Sequence, residues 1–204
     1  MLNKVNKYGF TDVSCKWFES YLSNRKQVVC NNGVMSDTMS VNIGAPQGSI
    51  LGPILFLIYI NDISQHVLNG ACNLYADDVV IYVHGTNVEE VNSKLQQCID
   101  TVNDWYLKNK LTINTSKSNV MVISSRPKTD HKLSLSILVG NNKLPQVTHV
   151  KYLGIIIDNN LPWHVHIEHL CKKVNRLLGL FTRLSKCLPF ELMKKLYMSL
   201  IQPS

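Results

Sequence analysis

The sequence has no apolar run long enough to cross a bilayer, no Cys-x-x-Cys pair, and no internal repeat or low-complexity tract. Its most apolar stretch, residues 50–60, has eleven residues and includes Gly52 and Pro53, whereas a membrane helix needs about 20 apolar residues. The six cysteines are scattered, several in apolar periodic contexts where Cys acts as a small hydrophobe. Because no secretory signal precedes them, the sequence predicts a reducing intracellular compartment, nuclear or cytoplasmic, and no membrane partner.

Charged residues are few and unevenly distributed. They make up 17% of the 204 residues against 45% apolar ones, which is typical of a globular chain and argues against disorder. Residues 1–100 carry 6 Lys/Arg and 9 Asp/Glu, a balance of −3, while residues 101–204 carry 15 and 5, a balance of +10. The asymmetry predicts a phosphate-binding surface in the second half and metal-binding carboxylates in the first, although ordinary basic proteins reach similar totals.

Two adjacent carboxylates, Asp77 and Asp78, lie between two short runs rich in β-branched and aromatic residues. The runs at 72–76 and 79–83 predict strands, which places both aspartates at a hairpin turn. Adjacent carboxylates repel each other, and a divalent cation removes that cost. Mg²⁺ prefers oxygen ligands and takes one or two carboxylates together with water and substrate phosphates. The pattern therefore favours a magnesium site, and its alternative is an exposed turn that merely uses Asp.

A segment rich in glycine and proline precedes this pair. Residues 44–53 contain three glycines and two prolines, which predicts a loop whose backbone can approach a ligand closely. The apolar run that follows predicts a buried helix beginning near Pro53 and continuing to about Ile63. The alternative is a simple turn before a core helix.

Local patterns predict the remaining elements. Residues 1–10 have the pattern of a helix end closed by Gly9, and residues 13–22 predict a second helix. A capping box at Thr86 predicts the start of a helix whose apolar stripe, to Trp105, packs under the sheet. Further strands are expected at 25–30 and 39–43, around Asn31-Asn32-Gly33, and at 120–124 and 133–139.

Two motifs together resemble the reverse transcriptase palm of non-LTR retrotransposons. They are Pro46-Gln47-Gly48-Ser49 with Leu51-Gly52-Pro53, and Tyr75-Ala76-Asp77-Asp78. The resemblance implies that Pro46, Gln47, Gly48, Ser49 and Tyr75 contact the template base and the incoming nucleotide. It also implies that Asp77 binds both of two catalytic magnesium ions and that Asp78 supports the site.

Two further segments resemble later motifs of the same family. Lys117 lies in a segment similar to motif D, which places a lysine near the leaving pyrophosphate; the alternative is an ordinary solvated loop lysine. Residues 150–158 resemble the primer-grip hairpin, which implies that Tyr152, Leu153 and Gly154 hold the primer end. Asp158 is expected to be a turn residue and not a third catalytic carboxylate.

The C-terminal residues predict two helices, at about 165–186 and 190–202. In a polymerase their basic residues would follow the duplex backbone, and otherwise they form a solvated face. The four assigned to the backbone are Lys172, Lys173, Arg176 and Arg183. Nearby, His164, His166, His169 and Glu168 suggest a zinc site, but their spacing does not match a helical His-x-x-x-His pair.

Two parts of the family pattern would lie upstream of Met1. These are the fingers and motif A, the strand that carries the other metal-bridging aspartate. No Asp precedes Asp12, and Asp12 stands in the wrong context. Because two-metal phosphoryl transfer needs carboxylates from both strands, the resemblance implies a half-built site with weak magnesium binding and no activity of this chain alone.

The expected fold is α+β: a truncated, ferredoxin-like polymerase palm without its first strand, a hairpin, and C-terminal helices. The predicted division is a partial palm at 1–125, a strand-rich segment with the grip hairpin at 126–160, and basic helices at 161–204. The implied partners are an RNA template, a DNA primer, deoxynucleotides, and an upstream fingers and motif A segment. An exposed sheet edge predicts self-association. The alternatives are a non-catalytic nucleic-acid-binding remnant and a degenerate retroelement product without function.

Overall fold

A computed structural model gives the fold, and it describes residues 1–42, 44–46, 48–124 and 133–201. The chain divides into two compact units, Met1–Thr112 and Ile113–Ser204. Both units mix helices with short antiparallel strand pairs, which confirms the predicted α+β class. The ferredoxin-like palm and the division at 125 and 160 stay predictions.

The helices of the first unit follow the apolar periodicity of the sequence. Gly9, with a φ of 82°, follows the first helix, as its position predicts. The helices are α1 (Leu2–Lys7), α2 (Asp12–Leu22), α3 (Leu51–Ile60), a 3₁₀ helix (Asn61–His66) and α4 (Val88–Lys108).

The first strands of this unit form one interrupted ribbon. They are β1 (Arg25–Gln27), β2 (Cys30–Asn31), β3 (Val34–Met35) and β4 (Met39–Val41). β1 pairs with β4, and β2 pairs with β3 around Asn32 and Gly33, whose φ angles are 50° and 82°. Two positive φ angles in a two-residue loop are the mark of a type I′ turn, so the Asn-Gly signal predicts this turn correctly. The last predicted position of the second strand, Ile43, lies outside the described residues.

The second strand pair of the unit is β5 (Ala71–Tyr75) with β6 (Asp78–Tyr82). It packs on α4, and β5 also contacts the 3₁₀ helix. The core between these elements includes Ile63, Cys98, Val102 and Trp105, so the C-terminal half of the predicted stripe of α4 is confirmed as core. The capping box lies one residue later than predicted: the Asn87 side chain accepts from the Glu90 amide, and Glu90 reaches back to Thr86.

The prediction that α3 is a buried helix is wrong. Leu55 and Ile60 are buried, but Ile54 and Leu57 are half exposed and Ile50, just before the helix, is 90% exposed. The helix is apolar on all sides, whereas the elements that contact it, α1 and the 3₁₀ helix, cover only part of its surface. Apolar composition therefore overstates the burial of this helix.

The elements of the second unit are β7 (Leu138–Val139), β8 (Asn142–Lys143), β9 (His149–Tyr152), β10 (Ile155–Asp158), α5 (His164–Leu184) and α6 (Phe190–Leu200). Both C-terminal helices are therefore confirmed. The strands predicted at 120–124 and 133–139 are wrong over most of their length: only Val120 forms a bridge, with Gln146, and only Leu138–Val139 is a strand.

A side chain supplies the bonds that a partner strand would have supplied. The Gln146 amide accepts from the Leu135 N–H at 2.8 Å and donates to the Leu133 carbonyl at 2.7 Å. Leu135 and Ile137 are buried without being in a strand. Alternate residues are thus buried here without a strand ladder. The same alternation of apolar and polar residues in the sequence is what predicts a strand.

In the described part of the chain, no helix has the length and apolar character that crossing a membrane requires. All six cysteines, each of which lies within the described ranges, are thiols without a disulfide partner.

Candidate active site

The hairpin β5–β6 carries the two aspartates at its closed end. Tyr75 pairs with Asp78, so the loop consists of Ala76 and Asp77. The expectation that both aspartates lie in the turn is half right, because Asp78 is the first residue of β6. Both carboxylates are exposed, so water, a cation or a phosphate can reach them from solvent.

The two faces of this hairpin differ in their exposure to solvent. Tyr75 and Asp78 are directly opposite each other and therefore project to the same face. That face is exposed at Asn73, Tyr75 and Asp78, whereas Cys72 and Leu74 on the other face are half-buried. The packing on α4 thus leaves the side with Tyr75 and Asp78 open.

Tyr106 of α4 lies near Asp77 and is absent from the predicted site. Burial raises the pKa of the Tyr106 phenol, and electrostatic interaction with the Cys72 and Asp77 side chains raises this pKa further. Tyr106 follows Cys98 and Val102 at a spacing of four residues, so helical periodicity places it on the face that packs under the hairpin. That spacing is the sequence signal that identifies it.

The loop at 44–50 is shaped by glycine and by one hydroxyl. Gly48 has a φ of 79°, and beyond its chain neighbours no described atom lies within 4 Å of the position that a Cβ would take. The Ser49 hydroxyl donates to the Pro46 carbonyl at 2.8 Å and accepts from the Gly52 N–H at 3.0 Å. Ser49 therefore closes the turn before α3, while Gln47 lies outside the described residues.

Arg25 attaches this loop to the preceding elements. Its guanidinium donates to the Gly44 carbonyl, and its Nε donates to the Leu22 carbonyl at 3.1 Å. Arg25 thus connects the end of α2 with the start of the loop. Sequence reasoning gives Arg25 no site role, because these contacts are to backbone carbonyls that no motif specifies.

Lys117 lies in an exposed turn of the second unit. The Asn114 side chain accepts from the backbone and hydroxyl of Ser116, and the Lys117 N–H donates to the Asn114 carbonyl at 3.1 Å. This is an Asx turn, which fixes the backbone of the loop and leaves the lysine side chain in solvent.

The predicted grip segment is a hairpin. Tyr152 pairs with Ile155 across Leu153 and Gly154, whose φ angles are 47° and 89°, so the loop has the two positive φ angles of a type I′ turn. The primer-holding role of Tyr152, Leu153 and Gly154 stays a prediction.

The basic residues of α5 form a stripe on its exposed side. At about 100° per residue, Lys172, Arg176 and Arg183 lie within about 40° of one another around the helix, and Lys173 lies about 100° from Lys172. All four are exposed. Lys172 forms an ion pair with Glu168 at 2.6 Å, which lowers the pKa of Glu168. We call Lys172, Arg176 and Arg183 the basic stripe.

The described residues supply a partial donor set for a metal ion. Asp77 and Asp78 fit the habit of Mg²⁺, which uses one or two protein carboxylates. Nowhere in the described ranges do three or more His, Cys, Asp or Glu side chains come together to hold an ion, and this includes the histidines of α5.

Comparison with known proteins identifies the class. The family model described as reverse transcriptase (RNA-dependent DNA polymerase) matches residues 2–157, a range that contains the 44–50 loop and the hairpin with Asp77 and Asp78. The chain therefore belongs to the reverse transcriptase family, which confirms the resemblance of its motifs.

Three of its relatives come from transposable elements, and two of them are named as RNA-directed DNA polymerases. The RNA-directed DNA polymerase from mobile element jockey of Drosophila funebris is 29% identical over 182 residues, which cover 82% of this chain and 19% of the relative. The probable RNA-directed DNA polymerase from transposon X-element of Drosophila melanogaster is 28% identical over 74% of this chain and 17% of its own. A putative 115 kDa protein in type-1 retrotransposable element R1DM, also of Drosophila melanogaster, is 27% identical over 84% and 17%. This chain spans less than a fifth of each of these three relatives.

Proposed function

We propose that this chain contributes the nucleotidyl-transfer hairpin of an RNA-directed DNA polymerase that copies an RNA template from a DNA primer. The observation that carries the proposal is the exposed pair Asp77 and Asp78 at the end of a two-residue hairpin, within the range that the family model matches. Exposed carboxylates on a rigid hairpin are suited to binding cations that neutralise phosphate charge.

In this proposal Asp77 and Asp78 hold magnesium, which when bound supplies electrostatic stabilisation of the transferring phosphoryl group. Tyr75 shares the open face with Asp78 and contacts the nucleotide. The 44–50 loop, with its open backbone at Gly48, contacts the template base and nucleotide. Lys117 assists the leaving pyrophosphate.

Two carboxylates from one hairpin are fewer than a two-ion site requires. Two ions held about 3.5–4 Å apart need a bridging carboxylate from another strand, and the described residues offer no third acidic ligand near the pair. We therefore propose that activity depends on a further carboxylate and a fingers segment from the longer polymerase.

Primer extension tests this dependence. We expect background synthesis from the 204-residue chain on an RNA template with a DNA primer, Mg²⁺ and four deoxynucleotides. A fusion that places the corresponding upstream polymerase residues of the jockey relative ahead of Met1 should extend the primer. Asp77→Asn in the fusion should lower the rate about 10³-fold or more, since it removes charge stabilisation, while Asp37→Asn, an equal charge change at an exposed ribbon position, should leave the rate unchanged.

Either of two results would overturn these assignments. Extension by the unfused chain that Asp77→Asn abolishes would show that no further carboxylate is needed. Extension by the fusion that survives Asp77→Asn would remove Asp77 from the site.

The basic stripe favours a second function, which is sequence-independent nucleic-acid binding. Its three side chains share one exposed side of α5, as neutralising the phosphates along a duplex requires.

We expect the whole chain to bind an RNA–DNA duplex with an affinity that falls steeply between about 50 and 200 mM salt. Arg176→Gln with Arg183→Gln should lower the salt slope by about 2, since each phosphate left without its cation removes about 0.9, whereas Lys16→Gln on α2 should leave it unchanged.

A further inference from the structure

A buried carboxylate holds the segment between β10 and α5. Asp158 is 6% exposed, and its two oxygens accept from the backbone N–H groups of Asn160 at 3.2 Å and Trp163 at 3.1 Å. Trp163 is the residue before the first turn of α5, with a φ of 62°, and Leu161 has a φ of 56°. Because left-handed backbone costs an ordinary residue about 1–2 kcal/mol, this shape needs compensating bonds, and Asp158 supplies two.

A second, longer bond joins the same two elements one turn further along. The His166 Nδ1 accepts from the Ile156 N–H at 3.4 Å. Ile156 is one residue beyond the pair that closes the hairpin, so its N–H points away from β9. His166 therefore covers an edge group of β10, and α5 is attached to the strand through its N-cap and its first turn.

The position of the basic stripe depends on this attachment. α5 contacts β10 and α6, and none of its residues is fully buried, so its apolar contacts restrain its direction less than those of a buried helix would. At about 1.5 Å per residue, Arg183 lies about 30 Å along the helix from Trp163, and a tilt of about 10° at the joint displaces it by about 5 Å. That displacement exceeds the length of a hydrogen bond or ion pair.

We propose that Asp158 is a positioning residue that sets the direction of α5 relative to the hairpin β9–β10, so that the basic stripe and the hairpin loop engage one duplex together. This proposal rests on the proposed nucleic-acid binding of the stripe. A carboxylate suits the position because two N–H groups must each receive an acceptor oxygen. An amide offers one oxygen and one NH₂ group, which would face a second donor.

The test uses Asp158→Asn in the whole chain, with a labelled RNA–DNA duplex of about 20 base pairs, long enough to span several phosphates per strand, as the probe. Simple electrostatics predicts tighter binding, because the substitution removes a negative charge from a protein that binds a polyanion. Asp37→Asn makes the same charge change on an exposed ribbon and should show that small gain. If Asp158→Asn loses the positioning of α5, its affinity for the duplex should instead fall, by about 5-fold to 10-fold.

The salt dependence separates positioning from partial unfolding. An unfolded fraction lowers the concentration of active protein but leaves the slope of log K against log[salt] unchanged. Misdirection of α5 lowers that slope by about 0.9 for each phosphate that the stripe no longer neutralises. Hydrogen exchange should also rise within residues 159–170 of Asp158→Asn, while α4 exchanges as in the wild type. If Asp158→Asn does not fold, His166→Ala should show the same changes with smaller amplitude.

The results distinguish this proposal from the function on which it rests. Failure of the wild-type chain to bind the duplex overturns both. Binding that Arg176→Gln with Arg183→Gln weakens, but that Asp158→Asn and His166→Ala leave unchanged in affinity and slope, overturns the positioning role alone.

Discussion

At the scale of single residues, Ala76 is held in a conformation that favours glycine. It occupies the first loop position of the aspartate hairpin with a φ of 52°. We expect Ala76→Gly to raise the free energy of unfolding by about 0.5–1 kcal/mol, because glycine adopts positive φ without steric cost. Ala71→Gly, the same substitution inside β5, should lower it, and urea titration of both variants measures the difference. A loss of stability in Ala76→Gly would show that the loop carries no strain.

Lys4 makes contacts that no pattern in the sequence predicts. Its ammonium donates to the Tyr59 carbonyl at 2.6 Å and to Asp62 at 2.7 Å, and it lies over the rings of Tyr59 and Trp105. We expect Lys4→Met to cost about 1–3 kcal/mol of unfolding free energy, since it removes charged hydrogen bonds and cation–π contacts. Lys7→Met, at an exposed position of α1, should cost less than about 0.5 kcal/mol. Equal losses in both variants, measured by the same urea titration, would contradict this role of Lys4.

At the scale of elements, the start of α4 gives a dependence on pH. The Lys94 ion pair and the bonds from Thr86 lower the pKa of Glu90 to about 2. Because the folded pKa lies below the ordinary value of 4.5, this contribution to stability is present above about pH 4.5 and is lost as pH falls toward 2. Thermal unfolding of Glu90→Gln should therefore depend less on pH between about 2 and 5 than unfolding of the wild type. Glu89→Gln is the matched control and should keep the wild-type dependence.

The elements that sequence predicts well are those with a local signal. Asn32-Gly33 specifies a tight turn, and apolar periodicity specifies α4, whereas the hairpin at Leu153-Gly154 is expected only from its resemblance to the family motif. The errors arise where a distant group decides the structure: Gln146 replaces a strand partner at Leu133 and Leu135. The site divides in the same way. The motif residues are recognisable, and helical spacing identifies Tyr106, whereas Arg25 acts through contacts with backbone carbonyls that depend on tertiary packing.

At the scale of the whole molecule, unpaired strand edges predict self-association. Among the described residues β5 and β6 pair only with each other, so each has an outer edge able to accept another strand. We expect the chain to form larger species as its concentration rises in sedimentation experiments. Asn73→Lys, on the exposed face of β5, should reduce this by charge repulsion, whereas Ser93→Lys on the exposed side of α4 should not. A monodisperse monomer at every concentration would contradict the prediction.

The antiparallel hairpins join strands that are close in sequence, which favours their early formation during folding. Within the described ranges, the antiparallel pairing with the largest sequence separation, β1 with β4, spans residues 25–41. Short sequence separation favours fast folding because little loop-closure entropy is lost. During synthesis on the ribosome each hairpin can therefore close soon after its second strand emerges. The contact of Lys4 with Tyr59 and Asp62 must wait for α3 and the turn that follows it. The hairpin with Asp77 and Asp78 can then form before the chain beyond Thr112 has been made.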